Sequence, residues 1–401
     1  MMDKNILLAI DRTLKIIRGS DKPFGGVTVV LSGDWRQTLP VIPRANRAQI
    51  VQETLKGIKV VKSILLNCIN KVCISISGPG AEHLWRKFQQ FHLTENMRLI
   101  NSTDQDEKDF AAYLLDIGNG EAEESSGEVT NSAEKLIRLP AKFHSTAKTV
   151  RQFCSEIYPN LKTKVERGLA NDDDDWHDWL MERAIICPTN KDVNHINNTM
   201  IEDFPGDVHV YKSHDKLVND DNAHSFPVEY LNTIEVNGCP PHLLKLKVGA
   251  PIMLMRNLDP TRGHVNGTRY IIKALHPRVI HAVIAVGPYK GNEVMIPRIP
   301  FHPEDRTLPI EMERRQFPVR LCFGVTSNKS QGQTLKYVGI YLEQQDFFSH
   351  GQLYVAESRV QSVNNLKIFK PREENQTHPN TLVNVVFKEV LKCNCNNCNN
   401  I

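Results

Sequence analysis

Val29 to Pro40 reads VVLSGDWRQTLP: an apolar run, then Gly33-Asp34, then a polar loop from which Gln37 projects three residues after the aspartate. The apolar run Val27 to Leu31, set off by Gly25-Gly26 before it, predicts a short buried strand. Ligands of open α/β sheets sit beyond the carboxyl ends of the strands, so Asp34 and Gln37 stand where a nucleotide phosphate would lie. A glutamine amide can donate to a γ-phosphate oxygen and accept from an attacking water. Taken alone, the same stretch also reads as a polar loop closed by a structural turn. Context has to decide.

Upstream, Met2 to Arg18 has apolar residues at helical spacing: Ile6, Leu7, Ile10, Leu14 and Ile17. Downstream, Ala81 to His92 and Lys108 to Ile117 predict helices. Arg183 to Cys187 predicts a second buried strand, followed by a helix carrying Asp192, Val193, Ile196 and Met200. Alternation of this kind argues for an α/β fold with parallel strands. From Val248 to Val325 the texture changes. Strand-like runs (Pro251 to Met255, Arg269 to Leu275, Val279 to Val286, Glu293 to Ile299, Pro318 to Thr326) leave no room for a helix of normal length and predict a small β-barrel or sheet module. Lys336 to Leu342 is again a strand and Gly351 to Arg359 a helix, so the module interrupts an α/β domain.

The 401 residues allow two or three domains; 40% are hydrophobic and 24% charged, which sets the chain apart from disordered ones. The start carries Asp3 and Lys4 with no secretory pattern, and no apolar run approaches a membrane span. The nine cysteines are scattered except for Cys393, Cys395 and Cys398 in an Asn-rich tail, read as a disordered end, so reduced thiols are expected. The net charge of +3 neither demands nor excludes a nucleic-acid partner. Its distribution says more. Asp104 to Glu128 holds nine acidic residues against Lys108, and Asp172 to Asp175 is a second acidic run; both fit solvated faces. Lys245 to Arg278 holds seven basic residues against Asp259 alone, interleaved with strand-like runs, and fits a phosphate-contacting surface.

Three further motifs carry chemistry. LTENMR (Leu93 to Arg98) and FSHGQLYVAESRV (Phe348 to Val360) each place an arginine, Arg98 or Arg359, near an element end. Each is either a surface residue or half of a charge clamp on a phosphoryl group. NKSQGQTL (Asn328 to Leu335) puts hydroxyl, amide and backbone donors beside a glycine, which predicts an anion site at a helix N-terminus. His350 reads as structural or capping, and Trp176 and Trp179 as packing residues.

Taken in order, GDWRQTLPVI, LTENMR, ICPTNKDVNHIN (Ile186 to Asn197), VGAPIMLMRNLDP (Val248 to Pro260) with NGTR (Asn266 to Arg269), NKSQGQTL and SHGQLYVAESRV resemble a known set. They are similar to the motifs, from the third onward, of the PIF-type (petite integration frequency) 5′-to-3′ DNA helicases, above all the helicase part of Helitron transposons. The resemblance runs from about Leu8 to Leu391. It implies an α/β, P-loop NTPase-type fold of tandem RecA-like domains, the first incomplete, with a small Src-homology-three-like β-barrel inserted in the second. The implied segments are 1–92 for the end of the first domain, 93–247 and 326–391 for the second, 248–325 for the barrel and 392–401 for the tail. It implies an ATP-dependent DNA helicase with ATP and Mg2+ as cofactors and single-stranded DNA and duplex junctions as partners. Gln37 would sense the γ-phosphate, Arg98 and Arg359 would be arginine fingers, and Asp34 would border the nucleotide. Lys329, Ser330, Gln331 and Gly332 would couple nucleotide to DNA. Thr189 and Asn190, with Lys245, Lys247, Arg256 and Arg269, would touch DNA. No resident metal site, no membrane, a monomer, a nuclear location and roles in replication, repair, recombination or telomere upkeep complete the expectation.

Two parts of the pattern are missing. A P-loop needs GxxxxGK followed by Ser or Thr, and this sequence contains no Gly-Lys dipeptide. Its only Asp-Glu pair, Asp106-Glu107, follows NSTDQ rather than a strand. The expectation is therefore a piece of a longer helicase, without hydrolysis of its own, or a non-catalytic nucleic-acid-binding remnant. Thr326-Ser327-Asn328 and Glu357 also depart from the family's pattern, and an extra carboxylate at 357 would weaken the phosphate grip of Arg359.

Overall fold

The computed structural model describes residues 2–55, 84–85, 87–89, 91, 93, 96, 99, 104–122, 134–171, 175–218, 226–236, 238–303, 310–371 and 381–391. Arg98 and the tail cysteines lie outside them. The chain divides into two compact units, one of residues 1–141, 346–358 and 372–401, the other of 142–345 and 359–371.

The first unit opens with helix α1 (Lys4–Arg18), capped by the Asp3 carboxylate at its start and by left-handed Gly19 at its end. Leu7 and Leu14 face a small core with Phe24, Leu84, Val29 and Leu31. Buried Asp11 accepts the Phe24 amide at 2.6 Å and the Lys15 ammonium at 2.7 Å, tying the following turn to the helix. The predicted strand at 27–31 is corrected. Val27 is extended, but among the described residues no strand pairs with this segment. Val29 and Leu31 pack inward while Val30 is 85% exposed. A strand is buried only when neighbours cover both faces and both edges. Helix α2 (Arg47–Glu53) begins with an Asn46–Gln49 capping box, and α3 (Gln105–Asn119) runs from the Asp104 cap to left-handed Gly120. Of the helix expected over 81–92, Leu84 and Trp85 are helical and much of the rest lies outside the described residues. Strand β1 (Glu134–Arg138) closes this part of the unit.

In the second unit, helices α4 (Val150–Ile157), α5 (Leu161–Asn171) and α6 (Asp175–Met181) lead into β2 (Arg183–Cys187) and α7 (Asn190–Asp203). Then come β3 (His209–Lys212), β4 (His214–Leu217), helix α8 (Val228–Thr233) and β5 (Leu243–Leu246). Next are β6 (Pro251–Leu254), β7 (Arg269–Leu275), β8 (Val279–Ile284), β9 (Glu293–Pro297), β10 (Ile299–Phe301), β11 (Met312–Gln316), β12 (Val319–Leu321) and β13 (Gly324–Thr326). A one-turn helix α9 (Ser327–Ser330) precedes β14 (Tyr337–Tyr341). The chain re-enters the first unit for helix α10 (Gln352–Glu357), returns for β15 (Leu366–Phe369), and ends in the first unit with β16 (Thr381–Val385) and α11 (Lys388–Leu391).

The strands β13-β2-β14-β15 form the expected parallel sheet. Every residue of β2 is buried, as a central strand covered on both faces must be. The module is the antiparallel sheet β12-β6-β7-β8-β9, joined by the sheet β10-β11-β4 and the ribbon β3-β5. Three features of the expected module are corrected. Among the described residues the sheet has β12 and β9 as its edges, and no hydrogen-bonded closure joins them into a barrel. The β-rich region starts before Val248, because β4 pairs with β11. Pro318 to Thr326 is two strands, the first serving the module and the second the parallel sheet. One hydrophobic core runs through both sheets, joining Ile185, Val193 and Phe323 to Ile252, Tyr270 and Ile280.

The segment boundaries also differ. Residues 93–141 and much of 346–391 go with the first unit because β1 pairs with β16 and the Asn384 amide donates to the Ile117 carbonyl at 2.9 Å. These bonds tie segments that are far apart in sequence, which local pattern does not register.

In the second unit, Arg314 is buried and meets Asp215 through Nε and Nη2, while its remaining donors reach the Leu231, Ile234 and Pro240 carbonyls. Arg314→Ala leaves the Asp215 carboxylate buried without its cation. The expected loss is about 3–5 kcal/mol in urea unfolding; a loss below about 1 kcal/mol would show that the pair is not what holds this sheet.

Candidate functional site

Two clusters gather the sequence-assigned residues, one in each unit. In the first unit, Asp34 to Gln37 form a tight turn in which the Gln37 amide donates to the Asp34 carbonyl at 3.2 Å. The Asp34 carboxylate accepts the Arg36 amide at 3.0 Å and the Tyr354 hydroxyl at 3.0 Å. Arg36 in turn donates to Asn119 at 2.8 Å. This carboxylate is occupied in shaping the loop that presents Gln37.

The SHGQLY segment is the floor of that loop. His350, fully buried, donates from Nε2 to the Trp35 carbonyl at 2.8 Å and accepts the Phe387 amide at Nδ1, also at 2.8 Å. A carbonyl only accepts and an N–H only donates, so these partners fix a neutral imidazole with its proton on Nε2. Burial, chiefly, holds its pKa below the ordinary value. The structural reading of His350 therefore fits. Gly351, at φ +71°, would place a Cβ 2.3 Å from the Arg36 carbonyl oxygen; only glycine lets α10 start this close to the loop.

In the second unit, the carboxyl ends of β2 and β13 lead into α7 and α9. Thr189 caps α7, and its hydroxyl and the Asp192 carboxylate share a 2.5 Å hydrogen bond. Asn190 accepts from Arg320 at 3.2 Å, and Lys329 donates to Asn266 at 3.3 Å. Burial and then the charge of Arg320 push the Lys329 pKa below its usual value, and burial does the same to Arg320. Two cations with depressed pKa values and two amide side chains at the end of a parallel sheet form a site that an anion would stabilise. Arg320 escaped the sequence reading. Its signal was the alternation Val319-Arg320-Leu321 on an edge strand, which points the charge out between two buried residues.

Several expectations are corrected here. Arg269 is not a surface contact. It is 4% exposed and donates to the Met181 and Arg183 carbonyls, at 2.8 and 3.3 Å, bracing the module against β2. Lys329 to Gly332 do not open a helix: α9 ends at Ser330, and left-handed Gly332 turns the chain toward β14. A single turn has no appreciable dipole at either end, so Lys329 acts through its own side chain and not through a helix terminus. Lys247 is tied to the Phe204 carbonyl at 2.5 Å, Arg256 lies over the Phe301 ring at 5.1 Å, and Lys245 stands exposed on β5. Arg359 is 9% exposed and donates to the Gln333 carbonyl at 3.2 Å.

These residues do not make a nucleotide cradle by themselves. The sequence has no phosphate loop, Asp34 is bonded within its own turn, and among the described residues no three or more His, Cys, Asp or Glu are grouped to hold a metal. Among the described residues no helix is long and apolar enough to cross a membrane.

A parallel sheet with an inserted antiparallel module, and a basic cluster at its strand ends, defines a RecA-like helicase fold. Comparison with known proteins agrees. A PIF1-like helicase family model matches residues 1–77, and a model of the 2B domain of the DNA helicase Pif1 matches residues 229–275. The chain is 26% identical over 381 residues to the ATP-dependent DNA helicase PIF1 of Danio rerio, covering 93% of this chain and 45% of that one. With the Mus musculus helicase of the same name it shares 30% identity, covering 92% and 44%. The crystal structure of Pif1 helicase from Candida albicans aligns with a TM-score of 0.56 at 21% identity, covering 98% of this chain and 72% of that one. Bacteroides Pif1 in complex with ADP-AlF3 and ssDNA aligns at 0.52 and 23%, covering 93% and 68%. The matched models and relatives are PIF1-like helicases, and the relatives carry the name ATP-dependent DNA helicase; this chain is similar to them over nearly its whole length. It spans about half the length of the curated relatives it matches.

The His350 assignment gives a pH test. Its folded-state pKa lies below the ordinary 6.5, so its contribution is present above about pH 6.5 and lost as pH falls through the folded-state value. His350→Gln is expected to cost about 1–3 kcal/mol at pH 7.5 by urea unfolding. That difference should shrink toward pH 5; a difference that grows on acidification rules out the neutral bridge.

Proposed function

We propose that this chain is the strand-gripping and γ-phosphate-reading part of an ATP-dependent DNA helicase. The observation that carries the reading is the cluster of Asn190, Arg320, Lys329 and Asn266 at the carboxyl end of the parallel sheet. Its partner is the phosphate backbone of single-stranded DNA, bound without regard to sequence, with duplex junctions as the substrate of unwinding. Lys245 and Arg256 extend the basic surface, and Thr189 contributes by fixing where α7 begins. Gln37 and Arg359 serve as the nucleotide-responsive groups, in the roles the family motifs imply, and Arg98 joins them on sequence grounds.

ATP with magnesium, when bound, supplies the phosphoryl group whose cleavage drives translocation. The residues of this chain orient and read that group but do not cradle it, so the chain alone binds DNA without turning over ATP. A non-catalytic DNA-binding remnant is the second reading, favoured by the missing Gly-Lys dipeptide. We further propose a monomer acting in the nucleus, in replication, repair, recombination or telomere upkeep. An ATPase assay separates the two readings: Arg359→Ala should abolish DNA-stimulated turnover in a protein supplied with a phosphate loop, and unchanged turnover removes its finger role.

Salt dependence tests the cluster. Log affinity for an oligo-dT strand should fall linearly with log salt concentration, by about 0.7 per phosphate contacted. Arg320→Ala and Lys329→Ala should each lower that slope by about 0.7. Slopes identical to the unsubstituted protein in both variants would place the DNA elsewhere.

A further inference from the structure

Within the first unit, α10 carries a group that neither the fold nor the proposed function uses. Glu357 is 0% exposed. Its Oε1 accepts the Tyr113 hydroxyl of α3 at a long 3.3 Å, and its Oε2 has no hydrogen-bond partner. No described cation is paired with it. An ionised carboxylate placed this way would lose its hydration and gain one weak bond, a cost that such groups avoid by keeping their proton.

Among the described residues the surroundings supply no other charge paired with it. Tyr113 is itself held neutral by burial. β16, which also packs on α10, has the sequence TLVNV and brings no ionisable side chain. On α3, Asp106, Lys108, Asp109 and Asp116 are exposed, and Glu107 is partly exposed. At the other end of α10 stand Tyr354, bonded to Asp34, and neutral His350. Burial pushes the Glu357 pKa up to about 8.

We propose that Glu357 is a proton-controlled latch: its neutral carboxyl holds α10 against α3, and loss of the proton to solvent releases the helix. Release matters because the Asp34–Gln37 turn rests on α10 through Tyr354, His350 and Gly351. The state of one proton then sets how firmly the Gln37 loop is held. The latch itself is independent of the proposed function; its effect on a nucleotide response rests on that reading.

The sign follows from linkage. A carboxyl with an ordinary value of 4.5 when released and about 8 when latched contributes stability that is complete below 4.5 and lost as pH rises through 8. Hydrogen exchange of the α10 amides, followed by mass spectrometry on the whole chain and corrected for intrinsic exchange, reads the opening equilibrium. Between pH 7.0 and 8.0, where His350 is mostly neutral in both forms, opening should rise roughly 5-fold. Glu357→Gln should make it independent of pH. Tyr113→Phe removes the one bond that favours the ionised form, so the rise should continue past pH 8. A pH-independent opening in the unsubstituted chain, or the same rise in Glu357→Gln, overturns the latch. DNA affinity, measured separately, tests the proposed function without touching it.

Discussion

Strand β2 is the constraint on which the second unit depends. All five of its residues are buried, so it must have a strand on either edge and helices over its faces. Arg183 at its start is the awkward member, a charged side chain in a central strand. Its guanidinium is held between the Trp179 and Tyr337 rings, at 4.2 and 4.4 Å from their centroids. Its carbonyl accepts from Tyr158 at 3.2 Å and from Arg269 at 3.3 Å. The second of these comes from the module, so the inserted sheet is bonded to the strand it interrupts. With one core running through both sheets, the module is a rigid extension of the RecA-like sheet rather than a tethered lobe. At the other end of β2, Thr189 caps α7 at once, and Asn190 lies beside Arg320 because the strand can extend no further.

The first unit is organised differently. Its loop is positioned by groups that could carry charge and do not. His350 is kept neutral by having one donor and one acceptor as partners, and Glu357 by having almost none. Both belong to the segment around α10, which is short and rests on residues far away in sequence. Such a helix has little stability of its own and is held by tertiary contacts. The positioning of Gln37 is therefore sensitive to neighbours that no local motif contains.

The parallel sheet, the insertion and the likeness to PIF1-like helicases were legible in the sequence, because apolar periodicity and ordered motifs survive without coordinates. Arg183 to Cys187 and the helix after it were read correctly for that reason. Val27 to Leu31 was not, since an apolar run signals a strand whether or not a neighbour covers it. The basic window was legible as a charge count but not as a surface. Composition does not separate Lys245, which faces solvent, from Arg269, which is spent on carbonyls inside the protein.

The sequence by itself determined what chemistry is available: a glutamine and arginines in helicase order, a basic stretch, and no lysine after glycine to hold a triphosphate. Those follow from residue identity and spacing alone. Tertiary structure decided which charges are free to meet a ligand and which are consumed, because burial and partners come from residues distant in the chain. Arg320 became part of a site only when β12 brought it to Asn190, and Glu357 became a neutral acid only when α3 covered it.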